Sequence, residues 1–426
     1  MHVALGAKDP LPVCTSTTKT TWETYVCGIT QRGAVKPVDS RCFPRSYSSD
    51  TAVKGAVLLF HGYTACPDSL DSVATKLASE GFHVYAFLTV GHGRALGNCA
   101  GTGVDCVGNT PVDELPTTSD AYAAFVKSST SIFGGEVARR GLSRATHSLG
   151  VAGLSLGGAL AANALVQDSG KLFNTGLLVN PFLGITVPPL DATVAGCLGT
   201  SMSLDTTAFD TCLRSLVGKL LSSFAGQNSA ANTTTLLASQ QYTAAAKALR
   251  NGLALVLRRY LPDPTLLRGG YATLQDVARF AIVQLVRTPG LVAQLNLTAA
   301  LESPMGWGAG CAAQGANGRA GYCDFRVKHL LAVHALGQVT EANATFIKAP
   351  LASVLVERDG TSRNGLAAKL VRTPLLVSSS KAAMCVYRRV APCVNTSNAC
   401  GAPHSIFSRP ENLLVGPMYW EADLLN

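Results

Sequence analysis

The stretch Ser148-Leu-Gly-Val-Ala-Gly-Leu-Ser155-Leu-Gly-Gly158, continued by Ala159-Leu-Ala-Ala-Asn-Ala-Leu165, sets one serine between two glycines where an apolar strand gives way to an alanine-rich helix. A serine on such a turn holds a strained backbone conformation. A side chain two positions before or after it would collide with the neighbouring strand or helix, which accounts for Gly153 and Gly157. The turn pushes the Ser155 hydroxyl into the open. The helix behind it aims free N–H groups and a positive dipole end at the same spot, where negative charge develops on an attacked carbonyl. Chance alone supplies the pattern Gly-x-Ser-x-Gly often enough that context must decide. A strand before it and a small-residue helix after it separate a nucleophile elbow from a glycine-rich loop.

Upstream, Val53-Lys-Gly-Ala-Val-Leu-Leu-Phe60 is a continuous apolar run of the kind expected for a parallel strand buried on both faces, and His61-Gly62-Tyr63-Thr64-Ala65 follows it. A loop in that position can present a backbone N–H beside the elbow. The amides of Tyr63 and Leu156 are therefore the expected oxyanion hole, and His61 reads as a turn histidine whose imidazole is not needed for it.

A serine hydroxyl is a weak nucleophile at neutral pH and needs a histidine to take its proton and an acid to orient that histidine. Eight histidines compete. Strand-turn-helix serine elbows run Ser, then Asp or Glu, then His along the chain. His404, in a loop after the apolar run Thr373-Pro-Leu-Leu-Val-Ser378 that reads as the last strand, fits as base. His329 and His334 lie on the helical pattern Lys328 to Leu336 with no strand before them. His92, in Gly91-His92-Gly93 after the strand Phe82 to Leu88, precedes the serine and reads as a loop-fixing residue. For the acid, Asp359 follows the strand-like Ala349 to Val356 and opens the turn Asp359-Gly360. Glu357 is its rival, but falls within the strand pattern beside Arg358.

Together His61-Gly62-Tyr63-Thr64-Ala65-Cys66-Pro67, Gly91-His92-Gly93, Gly153-Leu-Ser155-Leu-Gly157-Gly158, Asp359 and His404 resemble the α/β-hydrolase family, above all its monoacylglycerol-lipase-like and serine-aminopeptidase-like branch. The resemblance covers approximately 50 to 185 and 345 to 426 and leaves out the middle. It implies an α/β fold, a mostly parallel central sheet with helices on both faces and a large helical cap. It implies that Ser155 is acylated and then released by water, with no metal or organic cofactor. Thr89-Val90 departs from the pattern, since related chains often carry Asp or Pro before Gly-His-Gly.

The expected organisation is a disulfide-stapled N-terminal extension (1–50), a core in two pieces (51–185 and 341–426) and a helical cap (186–340). Within the last, Tyr242 to Tyr260 and Asp276 to Arg287 carry apolar residues at three-to-four spacing with arginines between them. Such helices pack onto the domain below, or serve as a lid that meets a lipid surface. No apolar run is long enough to span a bilayer.

The net charge of +9 comes with only 14% charged residues, scattered rather than massed, which argues against a nucleic-acid partner. The expected partner is a small-molecule or lipid ester substrate. Thirteen cysteines without CxxC pairs point to disulfides rather than zinc. Proximity suggests Cys99 with Cys106, Cys197 with Cys212, Cys311 with Cys323 and Cys393 with Cys400. Cys14, Cys27, Cys42, Cys66 and Cys385 then remain, leaving an odd thiol. Sequons at Asn232, Asn296, Asn343 and Asn395 and the cysteine content are compatible with a secreted glycoprotein, read here as a mature chain given a start methionine.

The functional expectation is a serine hydrolase cleaving lipid or other acyl esters, polyesters included. An aminopeptidase-type enzyme is the alternative, although the cap holds few acids to bind an α-ammonium. A non-catalytic binding protein on the same scaffold is the third reading.

Overall fold

The computed structural model describes residues 7–184 apart from positions 16, 18, 33–35, 50–51, 96–98, 100–102 and 108–109, then 301–306 without 303, 324–356, 370 and 382–387. The chain divides into two compact units, one of residues 1–185, 306–325 and 332–426, the other of 186–305 and 326–331. Most of the second unit, and with it the expected cap helices, lies outside the described residues.

In chain order the elements of the first unit are β1 (Ala7–Lys8), α1 (Thr21–Thr30), β2 (Arg45–Ser48), β3 (Gly55–Phe60), α2 (Asp71–Ser79), β4 (Phe82–Phe87), α3 (Ser119–Arg139), β5 (Ser148–Leu154), α4 (Leu156–Asp168) and β6 (Thr175–Val179). Farther along the chain come α5 (Val327–Ala342), whose first five residues belong to the second unit, β7 (Leu351–Val356) and β8 (Ala382–Tyr387). The strands form one eight-stranded sheet in the order β1-β2-β4-β3-β5-β6-β7-β8. β1 and β2 run antiparallel to their neighbours, and all pairs from β4 to β8 are parallel. The fold class is therefore α/β with a mostly parallel sheet, as expected.

Parallel strands covered on both faces read as unbroken apolar runs, and every residue of β3 and of β4 is buried. Successive side chains take opposite faces. Val57 and Leu59 join Ala74, Leu77 and Ala78 of α2 in one core cluster. On the other face Tyr85 meets Trp22 of α1, with ring centroids 5.2 Å apart, and Phe133 of α3 at 5.9 Å, while Phe60 meets Phe125 at 5.8 Å.

The N-terminal segment is part of this body. Thr20 and Glu23 close a reciprocal capping box on α1, the Thr20 hydroxyl accepting the Glu23 N–H at 3.1 Å and the Glu23 carboxylate accepting the Thr20 N–H at 2.7 Å. Cys14 pairs with Cys27, Cys42 with Cys66 and Cys99 with Cys106. The third pair is the one proximity suggests. The first two pair four of the five cysteines that proximity left unassigned: α1 folds back on the segment before it, and residue 42 is brought to the loop after β3. The suggested pairs at 197/212, 311/323 and 393/400 lie outside the described residues.

The sheet partner of β7 is β8, Ala382–Tyr387. The run 373–378, expected as the last strand, lies outside the described residues, and a strand follows it along the chain.

Candidate active site

From β3 the chain moves to β4 on one side, then returns across β3 to β5 on the other, so the loops leaving β3 and β5 diverge at the carboxyl edge of the sheet. That reversal is where open α/β sheets place their ligands. Phe60 is paired with Gly153 in the register of β3 and β5. Two residues past each of them, Gly62 and Ser155 stand side by side: a Cβ on Gly62 would lie 3.5 Å from the Ser155 Cβ.

Ser155 has φ 57° and ψ −116°, a left-handed conformation that a side chain rarely accepts. Its surroundings enforce it. The Ser155 N–H donates to the Val179 carbonyl at 2.9 Å, and the Ser155 carbonyl accepts from the Phe182 N–H at 2.9 Å and the Ala159 N–H at 3.2 Å. A Cβ on Gly153 would overlap the Gly157 carbonyl, and one on Gly157 would overlap the carbonyls of Phe60 and His61. A Cβ on Gly158 would lie 2.9 Å from Pro181. The glycines around Ser155 thus let strand, turn and helix close to van der Waals contact. Ser155 itself is 7% exposed.

Leu156 is the first residue of α4, so its N–H has no acceptor within the helix and points toward the turn. The second amide depends on the orientation of one peptide unit. The Gly62 carbonyl accepts from His61 Nδ1–H at 2.9 Å and from the Ala65 N–H at 3.2 Å. Because a trans peptide sets its N–H opposite its carbonyl, the Tyr63 N–H is turned away from both donors.

His61 was expected to matter little, and here the structure adds to the sequence. It is fully buried, and its Nε2 accepts the Thr89 N–H at 3.0 Å, which puts the ring proton on Nδ1. One imidazole therefore bolts the loop after β3 to the loop after β4. Burial pushes its pKa down to about 4, against a smaller upward pull from the Gly62 carbonyl, so the ring is neutral. No local signal in the sequence marks this bridge, since Thr89 enters through its backbone.

His92 behaves as the loop-fixing residue expected of it. It is buried, its Nδ1 lies 3.0 Å from the Val90 carbonyl, and burial together with nearby His61 pushes its pKa down to about 3. Its ring packs edge-on to His61 at 5.3 Å and to Tyr63 at 5.6 Å. Gly91 and Gly93 on either side have φ of 75° and 82°. His329 and His334 lie on α5 as the helical pattern predicts; His329 Nδ1 accepts the Arg326 N–H at 3.1 Å.

Asp359 and His404 lie outside the described residues. What the sheet fixes is the strand that leads to Asp359. Leu154 pairs with Val179, Val179 with Val354, and the Asn180 N–H donates to the Val354 carbonyl at 2.8 Å. The carboxyl end of β7 therefore shares an edge with Ser155, and Asp359 follows Val356 by three residues in the sequence. Glu357 is likewise outside. The structure thus brings together Ser155, Leu156 and the Gly62–Tyr63 peptide. Among the described residues no group of His, Cys, Asp and Glu is arranged to hold a metal ion.

Residues 51–228 match the family model described as serine aminopeptidase, S33. The strand order and the strained serine between β5 and α4 agree with that match. The core has the α/β-hydrolase fold. No curated protein matches the sequence. Among solved structures, the chain is similar to a monoacylglycerol lipase from Paleococcus ferrophilus, at 13% identity over 89% of this chain and 97% of that one, TM-score 0.45. It is similar to a soluble variant of monoglyceride lipase from Saccharomyces cerevisiae, at 13% identity over 92% and 96%, TM-score 0.45. A thermostable carboxyl esterase from Bacillus coagulans matches at 12% identity over 81% and 85%, TM-score 0.38. No helix among the described residues is long and apolar enough to cross a membrane.

Proposed function

We propose that this α/β-hydrolase cleaves carboxylic esters through an acyl-enzyme on Ser155. The observation that carries the reading is the serine itself: a residue held at φ 57° against its own preference, at the carboxyl edge of the sheet, at the start of a helix and beside a loop whose peptide orientation is fixed. Such strain persists where a reacting group must be presented.

In the proposed sequence Ser155 Oγ attacks the ester carbonyl carbon as the His404 imidazole takes the hydroxyl proton and Asp359 stabilises the imidazolium. The carbonyl oxygen becomes an oxyanion and accepts hydrogen bonds from the Tyr63 and Leu156 amides. Collapse breaks the carbon–oxygen bond to the alcohol, which leaves with the proton from the imidazolium. Water then attacks the acyl-enzyme, passes its proton to the imidazole, and Ser155 leaves with that proton as the acid is released. No cofactor is called for. The apolar, arginine-dotted sequence proposed as the cap suits lipid acyl chains and contact with a lipid interface.

The test is hydrolysis of p-nitrophenyl esters from acetate to palmitate by wild type and Ser155→Ala. Equal activity, or equal inertness, of the two proteins overturns the proposal. Preference for long chains with activation above the substrate's solubility limit supports a lipase lid, and a strict acetate preference rejects it.

The match over 51–228 also favours a second reading, release of N-terminal residues from peptides. Aminoacyl p-nitroanilides separate the two: turnover of these without ester chain-length dependence assigns the peptidase. A secreted location belongs to the same proposal, supported by the three disulfides. Recovery of the native protein only from the cell interior, with its thiols free, rejects it.

A further inference from the structure

Arg94 follows the Gly91-His92-Gly93 loop, and its side chain is 2% exposed. None of its three guanidinium nitrogens, Nε, Nη1 or Nη2, has a hydrogen-bond partner. Its nearest carboxylate oxygen, Asp113 Oδ1, stands 3.4 Å from Nε and is itself buried without a hydrogen bond. A guanidinium carries five N–H donors and cannot shed its charge. Buried and unmet, it is among the most unfavourable arrangements a protein interior holds.

The neighbourhood does not correct this. Lys36 Nζ lies 3.0 Å from Glu114 and 3.7 Å from Asp113, and Arg32 is 2.8 Å from Glu114. Glu114 is drawn below the usual carboxylate range: burial pushes it up, but the Lys36 hydrogen bond and the Arg32, Lys36 and Arg94 charges outweigh it. Among the described residues the two carboxylates are thus shared among three cations, with one positive charge in excess. Arg94, the buried member of the cluster, sits where residues 37–39 meet 93–95: the Asp39 N–H donates to the Gly93 carbonyl at 2.9 Å, the Ala95 N–H to the Pro37 carbonyl at 3.0 Å, and Val38 bridges Arg94.

We propose that Arg94 is the seat of a structural anion site, filled by one small monovalent inorganic anion, chloride being the biological candidate. The anion accepts from the guanidinium donors that the protein leaves unmet and cancels the excess charge of the cluster. It locks the 36–39 segment to the loop that carries His92. One net positive charge calls for one monovalent anion, and full burial selects a small ion over a bulky organic one. The site is independent of the ester-hydrolase reading.

The test compares the whole protein in sodium gluconate and in sodium chloride at constant ionic strength. The expected result is a saturable rise in melting temperature of about 2–4 °C as chloride replaces gluconate. Excess broadening of the 35Cl NMR line by the wild-type protein gives a second readout that does not depend on unfolding. Both effects vanish in Arg94→Met. Asp113→Asn, which removes a competing carboxylate, lowers the half-saturating chloride concentration about tenfold. Identical melting in the two salts without excess line broadening, or a chloride response that survives in Arg94→Met, overturns the site. If Arg94→Met does not fold, the Asp113→Asn shift decides: an unchanged or higher half-saturation rejects the proposal.

Discussion

His61 Nε2 accepts the backbone N–H of Thr89 at 3.0 Å, while Nδ1–H of the same ring holds the Gly62 carbonyl at 2.9 Å. Two loops from adjacent strands are thereby locked to one neutral imidazole, and the orientation of the Gly62–Tyr63 peptide follows from it. His61→Ala leaves a buried N–H unmet and a void behind the loop. The expected loss is about 2–4 kcal/mol in stability, with kcat falling more than KM changes. Unfolding midpoints in urea and ester kinetics on the folded fraction measure both; a variant with wild-type kcat would detach His61 from the geometry of the site.

The same burial gives a pH dependence. His61 and His92 are held to about 4 and about 3, below the ordinary 6.5 that they regain on unfolding. Folded-state values lowered in this way mean that the unfolded chain takes up protons first as pH falls. Their contribution is complete above pH 6.5 and declines below it, by up to about 1.4 kcal/mol per pH unit for each ring, until the folded values are reached. Denaturant midpoints at pH 7 and pH 5 should fall accordingly, and His92→Phe should flatten the slope. A wild-type profile level over that range contradicts the assignment.

Ser155 holds a backbone conformation that glycine adopts freely. Ser155→Gly is expected to raise stability by about 1 kcal/mol while abolishing ester hydrolysis, so the melting temperature goes up as activity disappears. Loss of activity with lower stability would mean that the serine side chain, not its backbone, supports the turn.

Gly157 has no room for a methyl group, since a Cβ there overlaps the Phe60 and His61 carbonyls. Gly157→Ala must push β3 and α4 apart, and a stability loss of about 3 kcal/mol or more is expected. Gly141, at φ 69° but with open space around it, is the control: Gly141→Ala should be destabilised by backbone strain alone, by about 1 kcal/mol. Comparable melting of the two variants would refute the steric argument.

Cys42 and Cys66 are both fully buried, and their bond crosses a sequence separation of 24. The double substitution Cys42→Ser, Cys66→Ser is expected to remove about 2–4 kcal/mol. Dithiothreitol should leave this bond intact in the native protein at 25 °C and reduce it once urea opens the fold, as thiol counting would reveal.

Much of the fold was legible because its signals are local. The runs at Gly55–Phe60 and Val84–Leu88 are apolar throughout since both faces of a parallel strand are covered, and Gly153, Ser155 and Gly157 write the turn within five residues. Glycine at those positions has one steric meaning, and the overlaps at Gly153 and Gly157 carry it. What the sequence withheld depends on distance through space. Cys42 is joined to Cys66 because a strand edge brings residue 42 against the loop after β3, which no spacing rule contains. His61 is bound to Thr89 through a backbone group, so residue identity gives no hint of it. Arg94 looks like any loop arginine until its burial is known.

The strand order has a consequence in time. β1 to β6 and the elbow are all encoded before residue 185, whereas the two strands that finish the sheet, β7 and β8, lie beyond residue 350. As the chain leaves the ribosome, the six-stranded portion can pair and bury its faces while the segment that holds the proposed Asp359 and His404 is still unmade. Its outer edge at β6 stays open through that interval, a row of unpaired backbone groups waiting for β7. The nascent chain therefore carries its strained serine before the sheet beside it is complete, with an open strand edge next to it for the whole of that interval.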